Sequence, residues 1–167
     1  MARNLKWETT EIEMLAHLPR NQCCWGESRT EGGNISTMLK KSAPRVLVVD
    51  DEALIRWSLT EMLGERGYEV TEAGDARMAL RAIHDAAEPF DVVLLDYRLP
   101  DSADLRLLDT IRRTTPMSQV IMVSAHNSPD LAQGAATLGA YCTISKPFEV
   151  DSLAALVYQA RIAGSAA

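Results

Sequence analysis

A doubly wound α/β fold on a five-stranded parallel sheet is the class this sequence predicts, and three observations predict it. Four short runs, 46–49, 92–95, 120–123 and 141–144, are dominated by β-branched residues and leucine. Strands buried on both faces read this way. Segments with apolar residues at helical spacing separate them, the alternation expected of helices packed on a parallel sheet. Polar residues lie just beyond each run: Asp50-Asp51, Asp96, Ser124 and Lys146-Pro147.

The elements follow in order. Strand one is expected at 45–50 and a helix at 52–66, where Leu54, Ile55, Leu59, Met62 and Leu63 share a helical stripe and Gly67 ends it. Tyr68 to Thr71 reads as strand two. Asp75 then caps a helix carrying Ala76, Ala79, Leu80 and Ile83. Strand three (91–95) leads to Asp96, and a helix over 103–114 presents Leu105, Leu108 and Ile111. Strand four is 119–123. Asn127 or Ser128 opens the next helix, with Pro129 in its first turn. Strand five (141–144) leads to Lys146-Pro147, and a last helix spans 149–162 before a tail at 163–167.

Composition narrows the function. The 167 residues are 47% hydrophobic and 24% charged, an ordinary globular balance. No apolar stretch is long enough to span a membrane, and the N-terminus carries Glu8, Glu11 and Glu13 where a signal peptide needs an apolar core. A cytoplasmic protein is the expectation. Cys23 and Cys24 are adjacent and Cys142 stands alone, so neither a disulfide framework nor a C-x-x-C metal site is present. Residues 44–167 hold 11 basic against 18 acidic side chains, net −7, with no basic stripe. That argues against direct nucleic-acid binding. Lys146 is the only lysine of that stretch, against ten arginines. A compact ammonium is a point charge that the planar guanidinium does not replace well.

Residues 1–43 show little periodicity, and we expect a mobile extension there. Met38 lies a few residues before strand one, so an over-extended reading frame that truly starts at Met38 is weighed equally with a genuine arm. Intact mass of the natively expressed protein decides between them.

In a parallel sheet all strand C-termini face one edge, where ligands bind. Three carboxylates, a hydroxyl and an ammonium should therefore meet there. Asp50 and Asp51 repel unless a cation lies between them, and oxygen-only ligands suit Mg²⁺. The alternative for Asp50, Asp51 and Glu52 is a helix N-terminus with favourable dipole charges. Asp96, after the strongest apolar run, adds a third carboxylate able to act as a nucleophile toward phosphorus. Ser124 offers a hydroxyl and Lys146 a positive charge to phosphoryl oxygens. A cis peptide before Pro147 would aim the ammonium into the pocket.

Residues 44–162 resemble the receiver domain of bacterial two-component response regulators. The matching motifs are Val-Leu-Val-Val-Asp50-Asp51-Glu52, Asp96-Tyr-Arg-Leu-Pro100, Val-Ser124-Ala125 and Lys146-Pro147-Phe148. The stretch from Pro100 to Leu108 looks most like receivers of the nitrogen-regulatory class. The resemblance implies a flavodoxin-like strand order, 2-1-3-4-5. It implies that Asp96 accepts phosphate from a histidine kinase or histidine phosphotransfer protein. It also implies that Asp51, Asp96 and the Arg98 carbonyl bind Mg²⁺ with Asp50 assisting through water, and that Ser124 and Lys146 sense the phosphoryl group. A downstream protein would read the face formed by helix four, strand five and helix five. Such a chain is expected to be a stand-alone switch or relay intermediate, with no enzymatic activity beyond the gain and loss of its own phosphoryl group.

Several positions depart from the family pattern. The aromatic residue often found three before the lysine is Thr143 here, with Tyr141 two residues earlier on the same strand face. Arg98 and His126 stand two beyond Asp96 and Ser124, positions that affect phosphoryl lifetime in the family. Two other functions compete. An aspartate-nucleophile phosphohydrolase would need Asp-x-Asp after strand one, and here the aspartates adjoin. An interaction module that is never phosphorylated is motivated by Thr143.

Overall fold

The computed structural model describes residues 43–126 and 128–165, and residues 1–42, on which the expectations of a mobile arm and a start at Met38 fall, lie outside it. The elements are β1 (Arg45–Val49), α1 (Ala53–Glu65), β2 (Glu69–Ala73), α2 (Ala76–Asp85), β3 (Val92–Asp96), α3 (Arg106–Thr114), β4 (Gln119–Ser124), α4 (Pro129–Thr137), β5 (Cys142–Ser145) and α5 (Val150–Ser165). The strands form one sheet in the order β2-β1-β3-β4-β5, every neighbouring pair parallel.

Strand pleating sends successive side chains to opposite faces, and each face has its own core. Leu47, Val49, Val93, Leu95, Val120 and Met122 pack with residues of α2, α3 and α4. Val46, Val48, Val92, Leu94 and Ile121 pack with Leu59, Met62 and Leu63 of α1 and Leu153, Val157 and Ala160 of α5. Burying both faces is why β1, β3 and β4 read as unbroken apolar runs.

The helix ends are chemically specified. Asp75 accepts from the Met78 N–H at 2.6 Å, and Ser128 accepts from the Leu131 N–H at 3.2 Å. Asp101, from the loop after β3, takes the Ala76 and Arg77 N–H groups at 2.8 and 3.1 Å. Three donors at the start of α2 are thereby satisfied. Gly67 (φ 83°) and Gly139 (φ 84°) close α1 and α4 in the left-handed region that glycine enters freely.

Some boundaries differ from expectation. The helix expected from residue 103 begins at Arg106, because Leu99 and Ser102 exchange backbone hydrogen bonds and Asp104 takes the Arg106 N–H. Asp96 and Ser124 are the last residues of their strands rather than the first beyond them. The expected tail at 163 is helical through Ser165.

Candidate functional site

Asp50, Asp96 and Lys146 meet at the C-terminal edge of the sheet, each delivered by a different strand end. The Lys146 ammonium lies 2.7 Å from Asp50 Oδ2, 2.5 Å from Asp96 Oδ2 and 3.2 Å from Glu52 Oε1. The Lys146–Pro147 peptide is cis. The second Asp50 oxygen accepts from the Glu52 N–H at 2.8 Å, and the second Asp96 oxygen from the Arg98 N–H at 3.0 Å. Both aspartates are buried, at 3% and 7% exposure, so their charges are poorly screened.

Burial pushes the Asp50 carboxyl up and repulsion from Asp96 adds to it, against hydrogen bonds from Lys146 and Glu52. Burial disfavours the Lys146 charge as well. Hydrogen bonds and Coulomb attraction from Asp50 and Asp96 together outweigh it, and the ammonium is held well above its ordinary value. Three carboxylates against one ammonium leave the pocket with an excess of two negative charges. One oxygen each from Asp50, Glu52 and Asp96 lies within 4.8 Å of the others. An oxygen-only donor set with that excess fits Mg²⁺, which takes one or two carboxylates and keeps several waters.

The site residues expected from sequence are distributed unevenly around this pocket. Asp51 is exposed and stands outside the group of three, while Glu52 stands within it. Glu52 occupies the N-cap of α1, yet its side chain makes no cap bond and turns to Lys146 instead. Sequence reading missed it as a donor. The signal was present, since three successive acids leave β1 and only the turn decides which face inward. Arg98 reaches Asp96 through its main-chain N–H, and its side chain is exposed. Ser124 is buried at 2% and shares hydrogen bonds with the His126 main chain, at 3.1 and 3.2 Å. Its carbonyl accepts from the Lys146 N–H at 2.8 Å, which ties β4 to the lysine loop. Thr143 lies on β5 opposite Met122, and Tyr141 just before that strand is 37% exposed.

A groove of about 540 Å³ opens beside Lys146, lined by Leu54, Ile55, Ala125, Pro147, Phe148 and Val150. Leu54 is 82% exposed there, and Trp57 on the same helix 61%. His84 and His126 are exposed and form no metal group with each other. Met62 and Met122 are buried, whereas Met78 and Met117 face solvent.

A parallel sheet in this order, with acids after β1 and at the end of β3 facing a lysine just beyond β5, defines a receiver-type fold. Residues 46–158 match the family model described as "Response regulator receiver domain". The chain belongs to the response-regulator receiver family. It is 38% identical over 115 residues to the DNA-binding transcriptional regulator NtrC of Escherichia coli K12, a match covering 69% of this chain and 24% of that protein. The chain thus spans about a quarter of that relative's length. A CheY-like receiver domain protein from Methanospirillum hungatei JF-1 superposes with a TM-score of 0.70 at 30% identity, covering 74% of this chain and 98% of that one. The receiver domain of NtrX from Brucella abortus gives 0.63 at 40% identity, covering 70% and 97%. Among the described residues no helix is long and apolar enough to cross a membrane.

Proposed function

We propose that Asp96 is a phosphoacceptor charged by a histidine kinase or histidine phosphotransfer protein. A carboxylate oxygen of Asp96 attacks phosphorus in line. The bond from phosphorus to the donor's imidazole nitrogen breaks, and its electron pair leaves on that nitrogen. The observation that carries this reading is the convergence of two buried strand-end aspartates on one ammonium, Lys146. Bound Mg²⁺ would neutralise charge on the transferred group. Asp50 and Asp96 would hold it, with Glu52 or Asp51 and the Arg98 carbonyl completing the set.

The chain's own residues do the rest. Lys146, already paired with Asp96, follows the charge onto the phosphoryl oxygens. Ser124 exchanges the His126 carbonyl for a phosphoryl oxygen, which pulls the β4–α4 loop toward Asp96. The apolar groove beside Lys146 receives the donor protein, with Leu54 and Phe148 at its rim. Phosphorylation then shifts an existing equilibrium on the face of α4, β5 and α5, where Tyr141 is exposed to a partner. In this reading the receiver acts through another protein in the cytoplasm, as a regulator or relay intermediate. It binds no nucleic acid itself and turns over no substrate but its own phosphoryl group.

Incubation with acetyl phosphate and Mg²⁺, followed by intact mass, tests the proposal. Wild type gains one phosphate-sized increment that chelator abolishes, and Asp96→Asn gains none. An Asp96→Asn protein that labels like wild type would refute it. The alternative, a module that is never phosphorylated, predicts no increment from any donor.

A further inference from the structure

We infer that Arg56 is a positioning residue for the acidic pocket: held by Glu72, it fixes the peptide after Asp50 and so sets how tightly the pocket binds a divalent cation. The inference rests on the metal-assisted phosphoacceptor reading above.

Each polar group of Asp50 has a partner. Its N–H donates to the Ala73 carbonyl at 3.1 Å, one carboxylate oxygen accepts from the Glu52 N–H, and the other faces Lys146. The remaining group is the carbonyl. A helical ladder extended back to this carbonyl would use the Leu54 N–H, but the first ladder bond runs from the Arg56 N–H to the Glu52 carbonyl at 3.0 Å. The helix ladder therefore begins at Glu52, and the Asp50 carbonyl lies outside it. The Arg56 side chain fills that gap, with Nη1 donating to the Asp50 carbonyl at 2.6 Å.

The guanidinium is itself anchored. Its Nε lies 3.4 Å from Glu72 Oε2, and the other Glu72 oxygen accepts from Thr60 Oγ1 at 3.0 Å. It lies over Gly74, where a Cβ would stand 3.4 Å from Nη1. Glu72 belongs to the edge strand β2, so β2, α1 and the β1 turn are joined through one planar, multi-donor group. An ordinary exposed Arg–Glu pair contributes little. What separates this one is the short bond to a main-chain carbonyl at the root of the pocket. If that bond is lost, the peptide joining Asp50 to Asp51 is free to rotate, and both acids move with it. Partners of this outer kind typically change metal affinity by about 10–100-fold.

Calorimetric titration of Mg²⁺ into the full-length chain, with urea unfolding of each variant in chelator, tests the inference. Arg56→Met is expected to weaken Mg²⁺ binding about tenfold while the urea midpoint in chelator barely moves. Arg56→Lys recovers part of the affinity, because an ammonium reaches the carbonyl without the fork to Glu72. Glu72→Gln weakens binding less. The double variant is no weaker than Arg56→Met alone, since Glu72 acts through the arginine. Wild-type affinity in Arg56→Met would overturn the inference and leave the pocket's function intact. So would additive losses in the double variant, or a loss that only tracks unfolding. A wild-type chain that fails to bind Mg²⁺ would overturn the metal-assisted reading and this inference with it.

Discussion

Replacing Lys146 by methionine removes the only cation that, among the described residues, pairs with the carboxylates of the acidic pocket, and the structure sets the size of the effect. The lysine side chain is 13% exposed, and its partners Asp50 and Asp96 only 4% and 7%. These belong with buried pairs, for which loss of one partner costs roughly 3–5 kcal/mol because the other charge stays desolvated. The Glu52 contact adds little, since that side chain is 60% exposed. Protonation of a carboxylate relieves part of the strain, so the low end, about 3 kcal/mol at neutral pH, is the expected loss. Mg²⁺ changes the comparison. It occupies the same negative pocket and meets no competing ammonium in the variant, so it binds there more tightly than in wild type. The stability gap should therefore narrow as Mg²⁺ saturates, by mass action on the folded state. Urea unfolding of both proteins, in chelator and in excess Mg²⁺, reads the four values directly. A gap below about 1 kcal/mol in chelator would place the lysine among surface pairs and refute the reasoning. So would a gap indifferent to Mg²⁺.

Other expectations follow from the same geometry. Because the folded Asp50 pKa lies above its ordinary 3.8, the unfolded chain releases its proton first as pH rises through that window, and stability falls. In chelator at neutral pH, Asp50→Asn should thus melt higher than wild type while binding Mg²⁺ at least about tenfold more weakly; melting curves and calorimetry check both. The Lys146 linkage has the same sign in a more alkaline window: its contribution is fully present below its ordinary 10.5 and is lost as pH climbs through the raised folded value, so alkaline unfolding should be shallower in Lys146→Met. Asp101→Ala removes two N–H partners from α2 and should cost about 1 kcal/mol in urea unfolding. The Ala76 N–H holds the Asp101 pKa below 3.8, so its stabilisation is complete above that pH and disappears below it. Burial raises the Cys142 thiol, and peptide-resolved alkylation should modify it more than about tenfold faster in urea than in the folded chain.

The central strands were legible because burial on both faces leaves no ambiguity of period, and the polar residue ending each run marked the sheet edge. β2 was read one residue early at its start and two short at its end: as an edge strand with exposed Glu69 and Glu72, it lacks an apolar run to define it. The start of α3 was read early because apolar spacing continues through Leu105, while the backbone bonds of Leu99 and Ser102 hold the loop out of the helix. At the site, Asp50, Asp96 and Lys146 follow from strand ends alone. Choosing between Asp51 and Glu52 does not, since it depends on how the chain turns out of β1. Arg56 escaped for a related reason. Its partner is a carbonyl, and a main-chain acceptor leaves no trace in the identity of residue 50. Met78 and Met117 lie at apolar positions that no neighbouring element covers, which periodicity alone does not reveal.

The most direct measurement locates the phosphoryl group itself. An acyl phosphate on aspartate is reduced by borohydride to homoserine, and peptide sequencing by mass spectrometry then reports which residue was modified. After reaction with acetyl phosphate and Mg²⁺, homoserine is expected at position 96 alone, with positions 50 and 51 still aspartate. Homoserine at 50 or 51, or phosphate recovered on Ser124, would contradict it.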